Sequence, residues 1–318
     1  MNRPPAIHAQ TASSTRLAQQ GRHPRHPLGE RAGRAAPAAS RSLWRHPDFL
    51  KLWAGETVSA LGSQITPLAL PLTAALVLEA TPGQMGALRA AHFLPPILVG
   101  LVAGAWVDRL RRRPVLIGTS LARALVLLTI PAAATLGLLR VELLYAVALA
   151  MGLLAVIFRT AAAAYLPSLV SREHLVEANG KLATGSAAAD VVGPGLAGLL
   201  VQRLGAPGAI AADALSFLAP ALGIAAIGTP EPPPPPRTER RRLPVEVAEG
   251  LRVLARAPIL RAFVATLATA QGFYSVIMAV YILYLTRDLG LAPATIGLIF
   301  GLGGGVGVLA GSAAAPWV

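Results

Sequence analysis

The sequence predicts an all-α protein that crosses a membrane several times, and this prediction rests on composition and on the length of its apolar stretches. Hydrophobic residues make up 54% of the 318-residue chain, whereas charged residues make up only 14%. Charge-free stretches cover residues 57–78, 262–286 and 289–318. Each is long enough to cross the hydrocarbon of a bilayer as a helix, which needs about 20 residues. This pattern excludes a soluble globular enzyme.

The first 45 residues differ from the rest in composition. They carry eight arginines and five prolines but a single acidic residue, Glu30, and their apolar residues follow no helical period. Such a composition predicts a disordered basic tail. A transit peptide would share the arginines and the scarcity of acids, but prolines at this density would interrupt its amphipathic helix.

From Leu52 onward, long apolar segments alternate with short breaks. The predicted spans cover residues 52–78, 86–107, 115–138, 142–166, 178–202, 207–227, 260–285 and 293–316. Proline and glycine mark the breaks at Thr81-Pro82-Gly83, Arg113-Pro114, Gly205-Ala-Pro207 and Ala292-Pro293, where a helix can end or begin at little cost. We therefore expect eight transmembrane helices.

Basic residues are clustered, and their placement sets the expected orientation. The net charge of +13 would suggest nucleic acid as a partner if it formed one surface. Instead the basic residues gather in the tail, at 109–113 and between 237 and 261, and these clusters alternate with the spans. The positive-inside rule then predicts that both termini are cytoplasmic. The expected partner is the lipid bilayer, most simply a bacterial plasma membrane, and not nucleic acid.

Residue types that support enzyme chemistry are scarce. The chain has no cysteine, and four of its six histidines lie within the first 46 residues, which excludes the usual zinc motifs. No Walker phosphate loop occurs in the sequence. We therefore expect no catalytic residue, no metal, no cofactor and no ATPase subunit, and a membrane-embedded enzyme is the weakest hypothesis.

A basic segment joins the second and third spans: Gly104-Ala-Trp-Val-Asp108-Arg109-Leu-Arg-Arg112-Arg113. The glycine permits close helix approach, the carboxylate can cap the following turn or pair with arginine, and the basic residues hold the loop at the cytoplasmic face. The segment resembles the loop signature of the major facilitator superfamily, although Trp106 and Arg111 replace the usual leucine and glycine. The resemblance implies a loop that latches the outward-facing state. The alternative is a basic loop that only orients the helices.

Span five contains the glycine-rich motif Val192-Gly193-Pro194-Gly195-Leu-Ala-Gly198. Its glycines present a smooth surface to a neighbouring helix, and Pro194 frees a carbonyl one turn earlier. The motif resembles the G-P-x-x-G signature of the antiporter branch of the superfamily, which implies efflux. The alternative is helix packing without a role in transport.

Further segments are similar to the enterobactin-exporter and macrolide-efflux branch of the superfamily. They are Trp44-Arg-His-Pro-Asp-Phe-Leu-Lys-Leu-Trp53, Leu61-Gly62, Leu68-Ala-Leu-Pro71, Phe158-Arg159, Leu166-Pro-Ser-Leu-Val170 and Asp213-Ala-Leu-Ser-Phe217. This resemblance implies proton-driven export of a small amphiphile such as a drug, a macrolide or a siderophore.

The break between spans six and seven contains five consecutive prolines, Pro232 to Pro236, followed by arginines. Complete members of the superfamily join two six-helix halves through such a loop. The expected order is a tail over 1–45, a six-helix half over 46–227, the loop over 228–258 and two helices of an incomplete second half over 259–318. A shift of 211 residues supports a repeat, because it places Trp106-Val107 on Trp317-Val318. We therefore expect a chain truncated after the eighth of twelve helices.

Ionisable residues inside spans are candidates for function, because a charge near the bilayer centre costs at least about 2.5 kcal/mol unless it is paired or hydrated. Five qualify: Glu56, Arg123, Arg159, Asp190 and Asp213. Arg123 and Asp190 are both expected near mid-membrane, where they could form a structural pair. Asp190 is the first candidate for proton coupling, with Asp213 and Arg123 as further candidates. Glu56 and Arg159 are expected near the cytoplasmic ends, where they could bond to the loop after span two.

Polar residues on spans one, two and seven are candidates for substrate contacts, because these helices line the cavity in related transporters. They are Gln64, His92, Gln271 and Tyr274. A lone membrane histidine more often bonds a nearby backbone or hydroxyl group, and this is the alternative for His92.

The motifs and their resemblance together predict a secondary active transporter, coupled to protons, that moves a small amphiphilic substrate by alternating access. The alternative is a non-transporting membrane remnant that lacks the last four helices.

Overall fold

The computed structural model of the chain describes residues 43–107, 109–232, 252 and 255–314. All regular secondary structure within these residues is helical, and no β-strand occurs among them. The all-α prediction is therefore confirmed. The predicted disordered tail and the proline run of the loop lie almost wholly outside the described residues.

The first predicted span consists of two helices, α1 over Pro47–Gly62 and α2 over Ile65–Leu72, followed by a π-helical turn over Thr73–Val77. Proline suits the first position of α1, because no helical partner exists there for its missing N–H. The ring of His46 caps the same end by accepting a hydrogen bond from the Phe49 N–H at 3.1 Å. A two-residue break at Ser63 and Gln64 separates the two helices.

The remaining α-helices are α3 Pro82–Val107, α4 Arg112–Thr135, α5 Val141–Leu169, α6 Leu175–Ser216, α7 Leu218–Ala225, α8 Pro258–Leu283 and α9 Pro293–Ala314. Most of them begin and end within a few residues of the predicted spans, but α6 runs through predicted span five and into span six, and α7 covers only the rest of span six.

A glycine divides the longest apolar stretch. Residues Arg172–Ala225 would extend about 80 Å as one straight helix, more than twice the hydrocarbon thickness of a bilayer. Helical geometry is lost at Gly205, whose φ of 74° and ψ of 162° are open to glycine and not to residues with a side chain. The break lies where the sequence predicts one, between spans five and six.

Several described stretches are long and apolar enough to cross a membrane. By length and composition they are Pro47–Val77, Arg112–Thr135, Val141–Leu169, Arg172–Ala225 and Pro258–Asp288. The total of eight crossings stays a prediction.

The first span lies unusually close to α6 and α7, and glycines make this possible. A Cβ built at Gly55 would lie 2.8 Å from the Cα of Pro220, and one at Gly185 would lie 2.6 Å from the hydroxyl oxygen of Thr57. Gly193 of the glycine-rich motif faces the break in the first span, where a Cβ would lie 2.6 Å from the Cβ of Gln64. Small residues therefore bring these backbones together, as is usual where membrane helices pack.

The same motif also contacts the last described helix. A Cβ at Gly198 would lie 2.5 Å from the carbonyl oxygen of Pro293 and 2.9 Å from the Cα of Gly297 on α9. Gly193 and Gly198 thus serve two different helix contacts of α6.

Buried apolar side chains form two clusters at different heights of the bundle. One cluster includes Leu72, Leu127 and Leu144, and the other includes Phe49 and Leu116. Between the two clusters, α1 and α4 carry polar side chains such as Glu56, Ser120 and Arg123, so a polar layer separates the clusters along these two helices.

We predict that Gly198→Ala lowers stability by about 1–3 kcal/mol, the usual cost of overpacking, because the added methyl group meets backbone atoms of α9 that cannot move aside. The matched control is Gly118→Ala, since a Cβ at Gly118 of α4 meets nothing within 4 Å. Thermal unfolding of both variants in detergent tests this. Equal melting temperatures for the two would contradict the close packing at Gly198.

Candidate functional site

A cavity of about 460 Å³ occupies the polar layer between the two apolar clusters. Its volume lies in the range of small-molecule sites, about 300–1,000 Å³. Six ionisable side chains line it: Glu56, Arg89, His92, Arg123, Arg159 and Asp213. The rest of the wall is mainly apolar and includes Pro67, Leu70, Met85, Leu88, Phe93, Met151, Phe158 and Phe217.

Arg123 of α4 is only 8% exposed and lies between two aromatic rings. Its guanidinium carbon is 4.7 Å from the ring centre of Phe158 and 5.2 Å from that of Phe217. Such cation–π contacts stabilise a buried cation. The Nε atom has no hydrogen-bond partner among the described residues, and the carboxyl groups that act on Arg123 electrostatically are those of Glu56 and Asp213.

Asp213 of α6 is fully buried at the cavity wall. Its carboxyl group accepts hydrogen bonds from the hydroxyl groups of Thr66 and, at 3.3 Å, Ser216. Asp213 therefore forms a hydrogen bond across the contact of α6 with the first span and also borders the cavity.

Asp190 lies elsewhere. It is exposed, and its Oδ1 atom accepts a hydrogen bond from the Gln64 amide at 2.6 Å. The expected pairing of Asp190 with Arg123 is wrong, because Arg123 faces the cavity beside Glu56 and Asp213, whereas Asp190 faces the start of α2. Arg123 and Asp190 were expected at a similar depth in the membrane, but similar depth does not make their side chains neighbours.

The break in the first span connects both aspartates of α6 to α1 and α2. Gln64, at the break, bonds Asp190, and Thr66, in the first turn of α2, bonds Asp213. The two aspartates stand on opposite sides of the non-helical Gly205. One short segment of the first span is therefore tied to both halves of α6.

The four predicted substrate contacts separate into different places. His92 lines the main cavity, whereas Gln64 and Tyr274 line a second cavity of about 220 Å³. Gln271 lines neither cavity. Arg89 lines both cavities although the sequence did not single it out, and it lies two turns inside α3, which begins at Pro82.

Glu56 and Arg159 also line the main cavity, a position that the sequence did not indicate for them, and their expected contact with the loop after span two stays a prediction. Glu56 borders a third cavity of about 170 Å³, next to Thr57 and Asn179, and its Oε1 atom has no hydrogen-bond partner among the described residues. Any contact of Arg159 with Asp108 lies outside the described residues.

The basic loop after span two is held by a residue that the sequence did not indicate. Asp108 lies outside the described residues, and a Cβ at Gly104 would meet nothing within 4 Å, so close helix approach does not explain that glycine. Instead Glu231 caps α4 by accepting hydrogen bonds from the backbone N–H groups of Arg112, at 2.5 Å, and Arg113, at 3.1 Å.

A second carboxylate closes the same end of the bundle. Asp48, in the first turn of α1, accepts hydrogen bonds from the backbone and hydroxyl groups of Thr229 at 2.9 and 2.7 Å. The Arg113 side chain donates to the Ala225 carbonyl oxygen at 2.8 Å. The chain segment after α7 is thus fastened to the first turns of α1 and α4.

Within the described residues, no group of three or more His, Asp or Glu side chains could hold a metal ion.

The Thr66→Val substitution should destabilise the protein by about 1–3 kcal/mol, because it leaves the buried carboxyl group of Asp213 without one of its hydrogen-bond donors. Thr129→Val is the control, since its hydroxyl group is exposed and bonds only its own helix, at Val126. Melting temperatures in detergent measure the difference. A loss no larger than that of the control would show that the bond contributes nothing.

Replacing Glu231 by alanine should cost about 0.5–2 kcal/mol, the usual price of a lost N-cap, because two backbone N–H groups of α4 lose their acceptor. Glu173→Ala removes an exposed glutamate from a short 3₁₀ turn and serves as the control. Both are compared by thermal unfolding. An unchanged melting temperature for Glu231→Ala, with Glu173→Ala also unchanged, would remove the capping role.

Comparison with known protein families identifies the family to which this helical chain belongs. The family model of the Major Facilitator Superfamily matches residues 52–318, which is most of the chain. The chain therefore belongs to this superfamily of membrane transporters, whose members are not enzymes. The comparison with curated proteins returns no match.

Proposed function

We propose that this member of the Major Facilitator Superfamily is a proton-coupled transporter that exports a small amphiphilic molecule by alternating access. The observation that carries the proposal is the main cavity, where six ionisable side chains converge on a largely apolar wall. An apolar wall with a few placed charges suits a molecule that has both an apolar body and a polar group.

The resemblance to the enterobactin-exporter and macrolide-efflux branch supports export over uptake. The glycine-rich motif of α6, similar to that of antiporters, supports it as well. The proposed location is the cell membrane, with both termini cytoplasmic, because the basic clusters of the sequence obey the positive-inside rule in that orientation.

Asp213 is the proposed site of proton coupling, with Arg123 as the charge that responds to it. Burial disfavours an ionised carboxylate, and a nearby guanidinium favours it, so small changes of geometry shift the balance between the two forms. Asp213 is buried at the cavity wall and interacts with Arg123, whereas Asp190 is exposed and bonds Gln64. These surroundings favour Asp213 over Asp190 as the site of proton coupling.

Alternating access requires helix contacts that can exchange. The contact between α6 and α9 consists largely of backbone and glycine, and smooth surfaces of this kind allow two helices to shift without interlocking side chains. We propose that the predicted first half, which contains α6, and the predicted second half, which contains α9, slide past each other at this contact.

Asp213→Asn should abolish the response of transport to an imposed pH gradient, because the amide cannot exchange a proton. The measurement is the flux of a fluorescent amphiphile panel, made up of ethidium, Hoechst 33342 and a dansyl carboxylate, across proteoliposomes that contain the full chain. Asp288→Asn, at an exposed position beyond α8, is the matched control and should leave the response unchanged.

The same assay on Asp190→Asn decides between the two aspartates. Loss of the pH response in Asp190→Asn alone would transfer the coupling role to that residue. If the wild-type chain moves no member of the panel under any gradient, the proposed transport function is wrong for these substrates.

A further inference from the structure

The charges on the main cavity wall are unequal in number. Three arginines and one histidine face two carboxyl groups. In a membrane protein each unbalanced charge is expensive, so an excess of one sign indicates a site for a ligand of the other sign.

The three arginines differ in the groups that act on them. Glu56 and Asp213 both act on Arg123, so this arginine engages both carboxyl groups of the cavity wall. Arg89 and Arg159 both act on His92, and Arg159 also acts on Arg123, so the guanidinium groups share a region of positive potential. Within the described residues neither Arg89 nor Arg159 has a carboxylate at ion-pair distance.

The apolar part of the wall can hold the body of such a ligand. Phe93, Phe158 and Met151 line the cavity together with prolines and leucines. Aromatic rings and methionine accommodate apolar groups of different shapes, so they favour a class of molecules over a single one.

We propose that the substrate is an organic anion, with an acid group such as a carboxylate held by Arg89 and Arg159 and an apolar body against the aromatic wall. This rests on the proposed function and specifies its substrate class. Guanidinium groups bind planar acid groups through paired hydrogen bonds, which gives them a geometric preference that a point charge lacks.

Arg89 has a second property that fits this role. It also lines the cavity of about 220 Å³ that Tyr274 and Gln64 share. One guanidinium group therefore borders two adjacent cavities, and an acid group can pass from one to the other without leaving it.

The test uses three probes that share a fluorophore and differ in the charge of one end: dansyl-β-alanine, its methyl ester and dansyl-ethylenediamine. Binding to the full chain in phosphatidylcholine nanodiscs is measured by fluorescence, with empty nanodiscs subtracted. The acid should bind about tenfold more tightly than the amine, because a hydrogen bond to a charged group contributes enough for a change of that size.

Arg89→Gln and Arg159→Gln should each weaken binding of the acid about tenfold and leave binding of the ester nearly unchanged. Retained ester binding shows that the variant still folds, and Arg89→Lys should restore part of the acid affinity. Arg140→Gln, at the N-terminal end of α5 and away from the cavity, is the matched control. Equal affinity of the acid and the amine for wild type, or equal losses of acid and ester in the variants, would overturn the proposal.

An anionic lipid headgroup presents the same acid chemistry, so nanodiscs that contain phosphatidylglycerol form a second arm. Unchanged affinity for dansyl-β-alanine in these discs supports a soluble organic anion, whereas loss of binding assigns the arginines to lipid and overturns the proposal. Failure here is separable from failure of the proposed function, because a cavity that prefers the amine can still export it with a proton gradient.

Discussion

The close approach of the first span to α6 and α7 is the contact on which the rest of the described structure depends. Gly55 and Gly62 on the first span, and Gly185 and Gly193 on α6, remove the side chains that would otherwise hold these backbones apart. Only at this separation can Thr66 reach Asp213. The same contact places one wall of the cavity, so a change in helix spacing there would alter both the packing and the charges that face the cavity.

Buried charge is the second constraint, and the fold meets it without conventional ion pairs. The two ion pairs found among the described residues, Asp48 with Lys51 and Glu177 with Lys181, lie in the first turns of α1 and α6. Inside the bundle Arg123 relies on two aromatic rings and on nearby carboxyl groups that do not bond it directly. A loosely held guanidinium costs some stability, yet it can respond when a proton or a ligand changes the charge beside it.

Depth along a span could be read from the sequence, whereas the direction in which a side chain points could not. Hydropathy placed most helices to within a few residues, although α6 extends well beyond predicted span five, and the glycine and proline at 205 and 207 placed the break in α6. The pairing of Arg123 with Asp190 failed because equal depth does not determine which neighbour a helix faces; that depends on the glycine contacts of α6 with Gln64. Glu231 caps a helix that begins 119 positions earlier in the chain, a relation that no local pattern contains.

The proposed negative charge of the substrate and the proposed coupling to protons are linked through this cavity. An anion held by Arg89 and Arg159 disfavours a second negative charge nearby, so it favours the protonated form of Asp213, and by reciprocity the proton favours the anion. If charge alone decided the order of binding, the anion and the proton would therefore cross the membrane together, in the same direction, as a neutral pair. Exchange requires that they occupy the cavity in turn, so that the anion leaves before the proton enters. Net charge then crosses the membrane, and an inside-negative potential adds about 2.3 kcal/mol per elementary charge for every 100 mV. Export of an anion by this route draws on the electrical gradient as well as on the proton gradient.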